Sequence, residues 1–367
     1  MLNSARLMLC LLLAAMPWPG LAQASCPPAH YPKSYQRIVE AARQEGALTI
    51  FSTTDQEQVS ALLDDFRRCY PFIQVAYHEL PASEIDRQVR LEGIRAKPQA
   101  DVVWSSAMDL QVRLVNDGLS QRYVSPERNA LPDWAHWRDE IWGTTFEPVV
   151  FAWNRKRLSD AEAPVTHEAL QRMLPGMRKR WRITSYDVAS SSVGYLFLTQ
   201  DARHHPAFWA LAAELAHTPG TRETSSRAML SRLARGEADF AYNVIGPYVA
   251  QFARLNPHLG WRIPEDYALI VSRLALITAA APHPAAARLW TDYLLSLRGQ
   301  RQLWAGSALP PVRKGLPRRL GQIDLNTLSD RLRPIQVGTG LLVYLDQAKK
   351  RLFLQRWHSR AQTPPND

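Results

Sequence analysis

Cysteine is scarce in this chain, with three among 367 residues, at positions 10, 26 and 69. No cysteine set accompanies the adjacent His204 and His205, and H-E-x-x-H does not occur, so a zinc centre of the usual kinds is excluded. Adjacent histidines point apart on a helix, which makes these two surface residues. G-x-S-x-G is missing as well, and no histidine falls in a motif that ties it to a serine, which removes the usual marks of a serine hydrolase. Beyond the first 24 residues, no uncharged apolar run reaches the roughly 18 residues that a spanning helix needs. Acidic side chains are outnumbered, 34 against 44 Lys and Arg, for a net charge of +10. The basic residues are scattered, with neither an arginine-rich arm nor a nucleic-acid motif. The charge therefore reads as a field that favours anionic partners, with no nucleic acid expected among them.

What is present is ordinary globular material, 46% hydrophobic and 21% charged, in a length that suits two cores of moderate size. Residues 1–24 carry one positive charge at Arg6, an apolar run over 7–16 and the small-x-small end Ala22-Gln23-Ala24. That is the pattern of a secretory signal peptide, too short in its apolar part to span a bilayer. Export to the periplasm is expected, and cleavage after Ala24 leaves Cys26 and Cys69 as an even pair. In an oxidising compartment they are candidates for a disulfide. Acylation of Cys26 is the competing possibility, although Gln23 stands where a lipidated chain has an apolar residue.

Strands and helices alternate along the first half. Residues 35–45 read as a short amphipathic helix, 47–51 as a buried strand, and 56–68 as a helix with Val59, Leu62, Leu63 and Phe66 on one face. A strand over 73–77, a helix over 84–91 and a strand over 101–104 follow, and a helix over 108–117 closes at Gly118, which suits a left-handed cap. Such alternation implies a mostly parallel sheet with right-handed crossovers, whose ligands bind beyond the carboxyl ends of the strands. Thr53 and Thr54 follow the first strand, and Ser105 and Ser106 the third. Each is a candidate ligand contact or an ordinary helix cap. The strand over 149–153 is interrupted upstream by Pro148, and Glu147-Pro148 marks where the chain leaves a first lobe. Glu147 faces a cleft or is a plain surface carboxylate.

A second alternation comprises a helix over 165–174, a strand over 182–186, helices over 206–217 and 226–235, a strand over 238–242 and a helix reaching Arg254. Within it, Ser190, Ser191 and Ser192 precede the apolar run 195–198, and the ligand is expected here. A serine at a helix start caps the first backbone N–H groups, and the remaining free N–H groups, with the positive end of the helix dipole, form an anion site. The plainer reading is one capping serine and two solvated ones. Tyr242, Asn243 and Tyr248 gather two phenols and an amide near one strand end, for a polar ligand or as core filling. The apolar run 267–278 carries the chain back to the first lobe. Its lone charge, Arg273, is an anion contact or half of a structural ion pair. A helix over 284–295 comes next, and a basic amphipathic helix over 340–357 packs on a lobe.

In this order, the export signal, Phe51-Ser52-Thr53-Thr54, Ala100-Asp101-Val102-Val103-Trp104, Gly236-Glu237-Ala238-Asp239-Phe240-Ala241 and Leu294-Leu295-Ser296-Leu297-Arg298-Gly299-Gln300 resemble the bacterial extracellular solute-binding proteins of ABC importers. The branch is that of ferric-ion, phosphonate and phosphoglycerate-related binding proteins, and the resemblance covers most of residues 35–313. It implies an α/β, two-lobed periplasmic-binding-protein architecture of type II. Each lobe would be a mostly parallel sheet flanked by helices, with the ligand cleft between them. Residues 25–147 and 268–335 are expected in lobe one, 148–267 in lobe two, and 336–367 in a C-terminal helix and tail.

The same resemblance implies ligand contacts at Thr53, Thr54, Ser105 and Ser106. Ser192-Val193-Gly194 is loosely similar to the helix start at which iron-binding relatives hold an anion. Their metal ligands are missing: Ile245-Gly246 stand where two adjacent tyrosines would, and Ser106 where an acidic residue would. Ferric iron needs anionic oxygen ligands. The expected solute is therefore a small organic anion, a carboxylate, phosphate ester or phosphonate. The expected protein is a periplasmic, monomeric, cofactor-free and non-enzymatic binding component that meets ABC permease subunits. A ligand-sensing accessory of a membrane sensor kinase and a ferric-ion binder with altered ligands are the alternatives, and a secreted serine hydrolase is the reading from a different class.

Overall fold

The computed structural model describes residues 26–95, 99–177 and 180–362. The expected signal peptide, Cys10 and the end of the tail lie outside the described residues. An alternating run builds the first lobe: α1 (Gln36–Glu45), β1 (Ala47–Ser52), α2 (Ser60–Cys69), β2 (Gln74–Glu79), α3 (Ala82–Arg95), β3 (Val102–Ser105) and α4 (Met108–Asn116). Two short strands, β4 (His136–Trp137) and β5 (Ile141–Gly143), complete its edge, and β6 (Glu147–Asn154) opens the second lobe. There follow α5 (His167–Met177), β7 (Ile183–Tyr186), α6 (Ser192–His204), α7 (Phe208–His217), β8 (Gly220–Glu223), α8 (Ser226–Ala234), β9 (Phe240–Ile245), α9 (Gly246–Leu255), β10 (Leu259–Arg262) and β11 (Ala268–Val271). The chain returns through β12 (Leu274–Ile277), α10 (Pro284–Leu295) and α11 (Leu297–Ser307), then adds β13 (Arg319–Leu320), β14 (Ile323–Asp324), β15 (Leu332–Pro334) and α12 (Gln347–Gln362).

The first sheet has the order β2-β1-β3-β12-β5-β4 and the second β15-β11-β6-β9-β7-β8, with β10 also on β6. Each is parallel where strands and helices alternate, at β2-β1-β3 and β9-β7-β8. Antiparallel strands join where the chain passes between lobes, because β6 and β12 enter their sheets from the other side. The expected boundaries need correction. The run over 267–278 is two strands in two sheets, so β11 belongs to the second sheet with β6, and β15 pairs with β11 there. The crossing out of the first lobe lies at residues 144–146, just before Glu147. Pro148 does not interrupt β6 but pairs with Ile270 inside it.

Burial explains why these segments hold. Leu48, Ile50, Val102 and Trp104 pack against Phe66 and Trp290 in the first lobe. Phe151, Trp153, Ile183 and Phe240 pack with Phe208 in the second. The basic helix expected over 340–357 begins later, after a 3-10 turn at Thr339–Leu341, and α12 sets Phe353 and Trp357 into the second-lobe core. A disulfide joins Cys26 to Cys69 across a sequence separation of 43 residues, which in the chain-entropy account contributes on the order of 4 kcal/mol. Gly118 takes the left-handed conformation, φ 75°. Gly143 sits where the two crossings touch, since a Cβ there would lie 2.9 Å from the Ser272 hydroxyl. Among the described residues no helix is long and apolar enough to cross a membrane.

Candidate functional site

Strand ends of both sheets face a cavity of about 500 Å³ between the lobes, as expected of open α/β sheets. The second-lobe wall is made of helix starts. Ser190, Ser191, Ser192 and Val193 lead into α6, Thr224, Ser225, Ser226 and Arg227 into α8, and Ile245 and Tyr248 flank the start of α9. Ser191 caps α6 by accepting the Gly194 N–H at 3.1 Å, and Ser225 caps α8 by accepting that of Ala228 at 3.2 Å. Capping uses one donor of each first turn and leaves others for a ligand. The Ser192 and Val193 N–H groups have no partner among the described residues. Asp187 braces the loop from outside, accepting the Ala189 and Ser190 N–H groups at 2.8 Å each. Burial works against its charge, but these bonds hold its carboxyl below the usual range.

The first-lobe wall is different. Thr53 and Asp55 after β1, Glu79 at the end of β2, the turn 80–83 at the start of α3, and Ser106 after β3 face the same space. Asp55 reaches across the cleft to Arg227 at 3.2 Å. Glu79 accepts the Gln56 N–H at 3.1 Å. The formal charges on the lining are thus two carboxylates and one guanidinium, in a chain whose net charge is +10.

Of the residues singled out in the sequence, Thr53, Ser106, Ser190, Ser191, Ser192, Val193 and Tyr248 line the cavity. Six others do not, and each has another task. Thr54 is fully buried, and its hydroxyl accepts Arg273 Nη1 at 2.5 Å. Ser105 accepts the Thr53 hydroxyl at 3.2 Å and the Ala107 N–H at 3.1 Å, shaping the loop that presents Ser106. Glu147 is buried at the crossing. Gly194 packs on β7, where a Cβ would lie 2.3 Å from that of Tyr186. Tyr242 and Asn243 turn into the second-lobe interior and donate to Asp201 at 2.8 and 2.6 Å.

Two crossings form the hinge, and Arg273 ties them together. Its guanidinium meets Glu147 twice, at 2.9 and 3.0 Å, with both side chains 1% exposed. Its backbone N–H donates to the Thr145 hydroxyl and its carbonyl accepts the Thr144 N–H, each at 2.9 Å. Burial opposes the charge on Arg273, but the Glu147 carboxylate more than offsets it and raises the pKa. Of the two roles open to Arg273 in the sequence, it takes the structural ion pair. The Tyr248 ring lies 5.4 Å from the guanidinium, linking hinge to cavity.

Sequence reasoning missed Asp55, Glu79, Tyr186 and the 224–227 turn. Ser225-Ser226 before the α8 periodicity is the same signal as the serine loop. Asp55 stood next to Thr53 and Thr54. Tyr186 ends β7, and its hydroxyl bonds that of Ser226 at 2.6 Å. Burial pushes the Tyr186 and Tyr248 phenols up, so both stay neutral. Among the described residues no histidine lines the cavity, and no group of His, Cys, Asp and Glu is placed to hold a metal ion. The arrangement can bind through hydrogen bonds and helix ends but holds no nucleophile beside a base.

The bacterial extracellular solute-binding protein family matches residues 48–304. The substrate-binding protein of an ABC transporter from Agrobacterium tumefaciens is similar over 86% of this chain and 94% of its own, at 30% identity and a TM-score of 0.81. Two more distant structures share the fold. The periplasmic binding protein AfuA of Actinobacillus pleuropneumoniae, with fructose-6-phosphate bound, has 17% identity and a TM-score of 0.73 over 87% of this chain and 99% of its own. Iron-bound HitA of Pseudomonas aeruginosa has 18% identity and a TM-score of 0.70 over 86% of this chain and 99% of its own. No curated protein matches.

Proposed function

Because the chain belongs to the bacterial extracellular solute-binding protein family, we propose that it is the periplasmic component of an ABC importer that captures a small organic anion, a carboxylate, phosphate ester or phosphonate, in the interlobe cleft. The observation that carries this reading is the convergence of three helix starts, α6, α8 and α9, on one wall of the cavity. The first turns of α6 and α8 present N–H groups with no partner among the described residues, and all three starts turn the positive end of a helix dipole to the cavity, a ready site for an oxyanion. The ABC transporter relative from A. tumefaciens supports the transport role, and the fructose-6-phosphate bound to AfuA supports the phosphate-ester option. Two lobes joined at a hinge close around the solute, and the closed face is what permease subunits, or a sensor kinase, would read. No chemistry is required, and the protein works as an exported monomer.

HitA, which binds iron, makes the metal alternative concrete. Ferric iron needs phenolates and carboxylates, whereas burial keeps Tyr186 and Tyr248 protonated here. A thermal-shift screen against phosphate esters, phosphonates, di- and tricarboxylates and ferric citrate tests the proposal. A rise in Tm with at least one organic anion is expected. A rise with ferric citrate alone, with a visible tyrosinate band, would overturn it.

A further inference from the structure

The cavity is asymmetric, and that asymmetry speaks to which organic anion fits. At about 500 Å³ it is far larger than a bare oxyanion needs, so a bound solute has a body that reaches the first-lobe wall. That wall carries two carboxylates, Asp55 and Glu79. Arg227 neutralises one of them across the cleft at 3.2 Å, and among the described residues it is the sole cationic side chain of the lining. Asp55 and Glu79 retain free acceptor capacity, since a carboxylate takes about four hydrogen bonds and each here accepts few. Beside them, Ser106 is 6% exposed and its hydroxyl has no partner among the described residues. Because Ser106 lines the cavity, its hydroxyl is open to water there, and a ligand group can take that water's place.

Such a wall rewards hydrogen-bond donors and penalises a second negative charge, a repulsive element that sets specificity as much as any attraction. Resting on the anion-binding reading above, we infer that the solute is a single-ended oxyanion. Its phosphate or phosphonate sits against the helix starts of the second lobe, and its other end carries hydroxyl or ammonium donors that Asp55, Glu79 and Ser106 receive. Di- and tricarboxylates, and phosphates with a distal carboxylate, are selected against.

The test is calorimetric titration of the whole protein with matched pairs that differ at the distal end. Glycerol 3-phosphate is set against 3-phosphoglycerate, and 2-aminoethylphosphonate against phosphonoacetate. In at least one pair the donor-ended member should bind ten-fold or more tighter than its carboxylate-ended partner. The Asp55→Asn, Glu79→Gln double variant should bring that ratio toward one. Both side chains sit at the cleft surface, and its melting curve confirms folding. Equal or tighter binding of the carboxylate-ended members overturns the inference, as does an unchanged ratio in the double variant. If none of the four binds, the anion site itself falls, which is a different failure from equal binding within pairs.

Discussion

The two walls of the cleft are built from the same unit, a strand end running into a helix, yet they present opposite chemistry. On the second-lobe side, Ser191 and Ser225 cap their helices and leave first-turn N–H groups free, so the wall is positive through its backbone as well as through Arg227. On the first-lobe side, Asp55 follows β1 and Glu79 ends β2, so the wall is negative. The lesson is that a site's polarity is set by which groups sit at the strand ends. The +10 net charge of the chain says little about it. Those basic residues lie mostly elsewhere, many on the surface in pairs such as Arg87 with Glu84 and Arg235 with Glu237.

The hinge is common to both walls, so the largest effect is expected there. Glu147→Gln leaves Arg273 buried and uncompensated, which should cost about 3–5 kcal/mol of stability, read as a lower urea midpoint. A loss well under about 1 kcal/mol would mean that the pair does not hold the walls in register. Next, Ser192→Trp fills the positive wall and should weaken oxyanion binding on the order of 100-fold, equivalent to about 2.7 kcal/mol, with little change in Tm. Unchanged affinity would move the anion to another wall. Ser191→Ala removes the cap that organises the α6 start, for a smaller loss of about 1 kcal/mol in stability together with weaker binding.

The smallest effect concerns pH, where the lobes meet beside the cleft. Asp109, in the first turn of α4, is 3% exposed with one carboxylate oxygen unpaired. Burial pushes its carboxyl up to about 6, against its own first-turn N–H groups and the nearby Arg113 and Lys350. A folded value above the ordinary one means that its contribution is fully present below about pH 4 and is lost as pH rises through about 6. Tm should therefore fall between pH 5 and pH 7.5, and Asp109→Asn should flatten that part of the profile. An identical profile in the variant would show that other groups carry the slope.

Much of the fold was legible because its signals are local. Apolar β-branched runs before polar turns marked β1, β3 and β7, and the one-sided apolar face of α2 was readable from Val59, Leu62, Leu63 and Phe66. The serine loop was legible for the same reason, as a cap needs only its own helix. Arg273 was ambiguous because its partner lies 126 residues away at Glu147, a pairing that topology alone creates. Tyr242 and Asn243 misled for a conformational reason. Strand neighbours normally face opposite sides, but Asn243 has φ 62°, and the two side chains meet on one buried carboxylate, Asp201. Thr54 and Ser105 illustrate the same limit at the strand ends, where adjacent residues divide between cavity and interior and the sequence does not mark which is which.

Tungstate, a heavy tetrahedral dianion, probes the central claim most directly. A crystal soaked in it should show an anomalous peak within hydrogen-bond reach of the Ser192 and Val193 amides, beside the starts of α8 and α9. A peak against Asp55 and Glu79, or a cleft left empty while tungstate orders elsewhere on the molecule, would contradict the account.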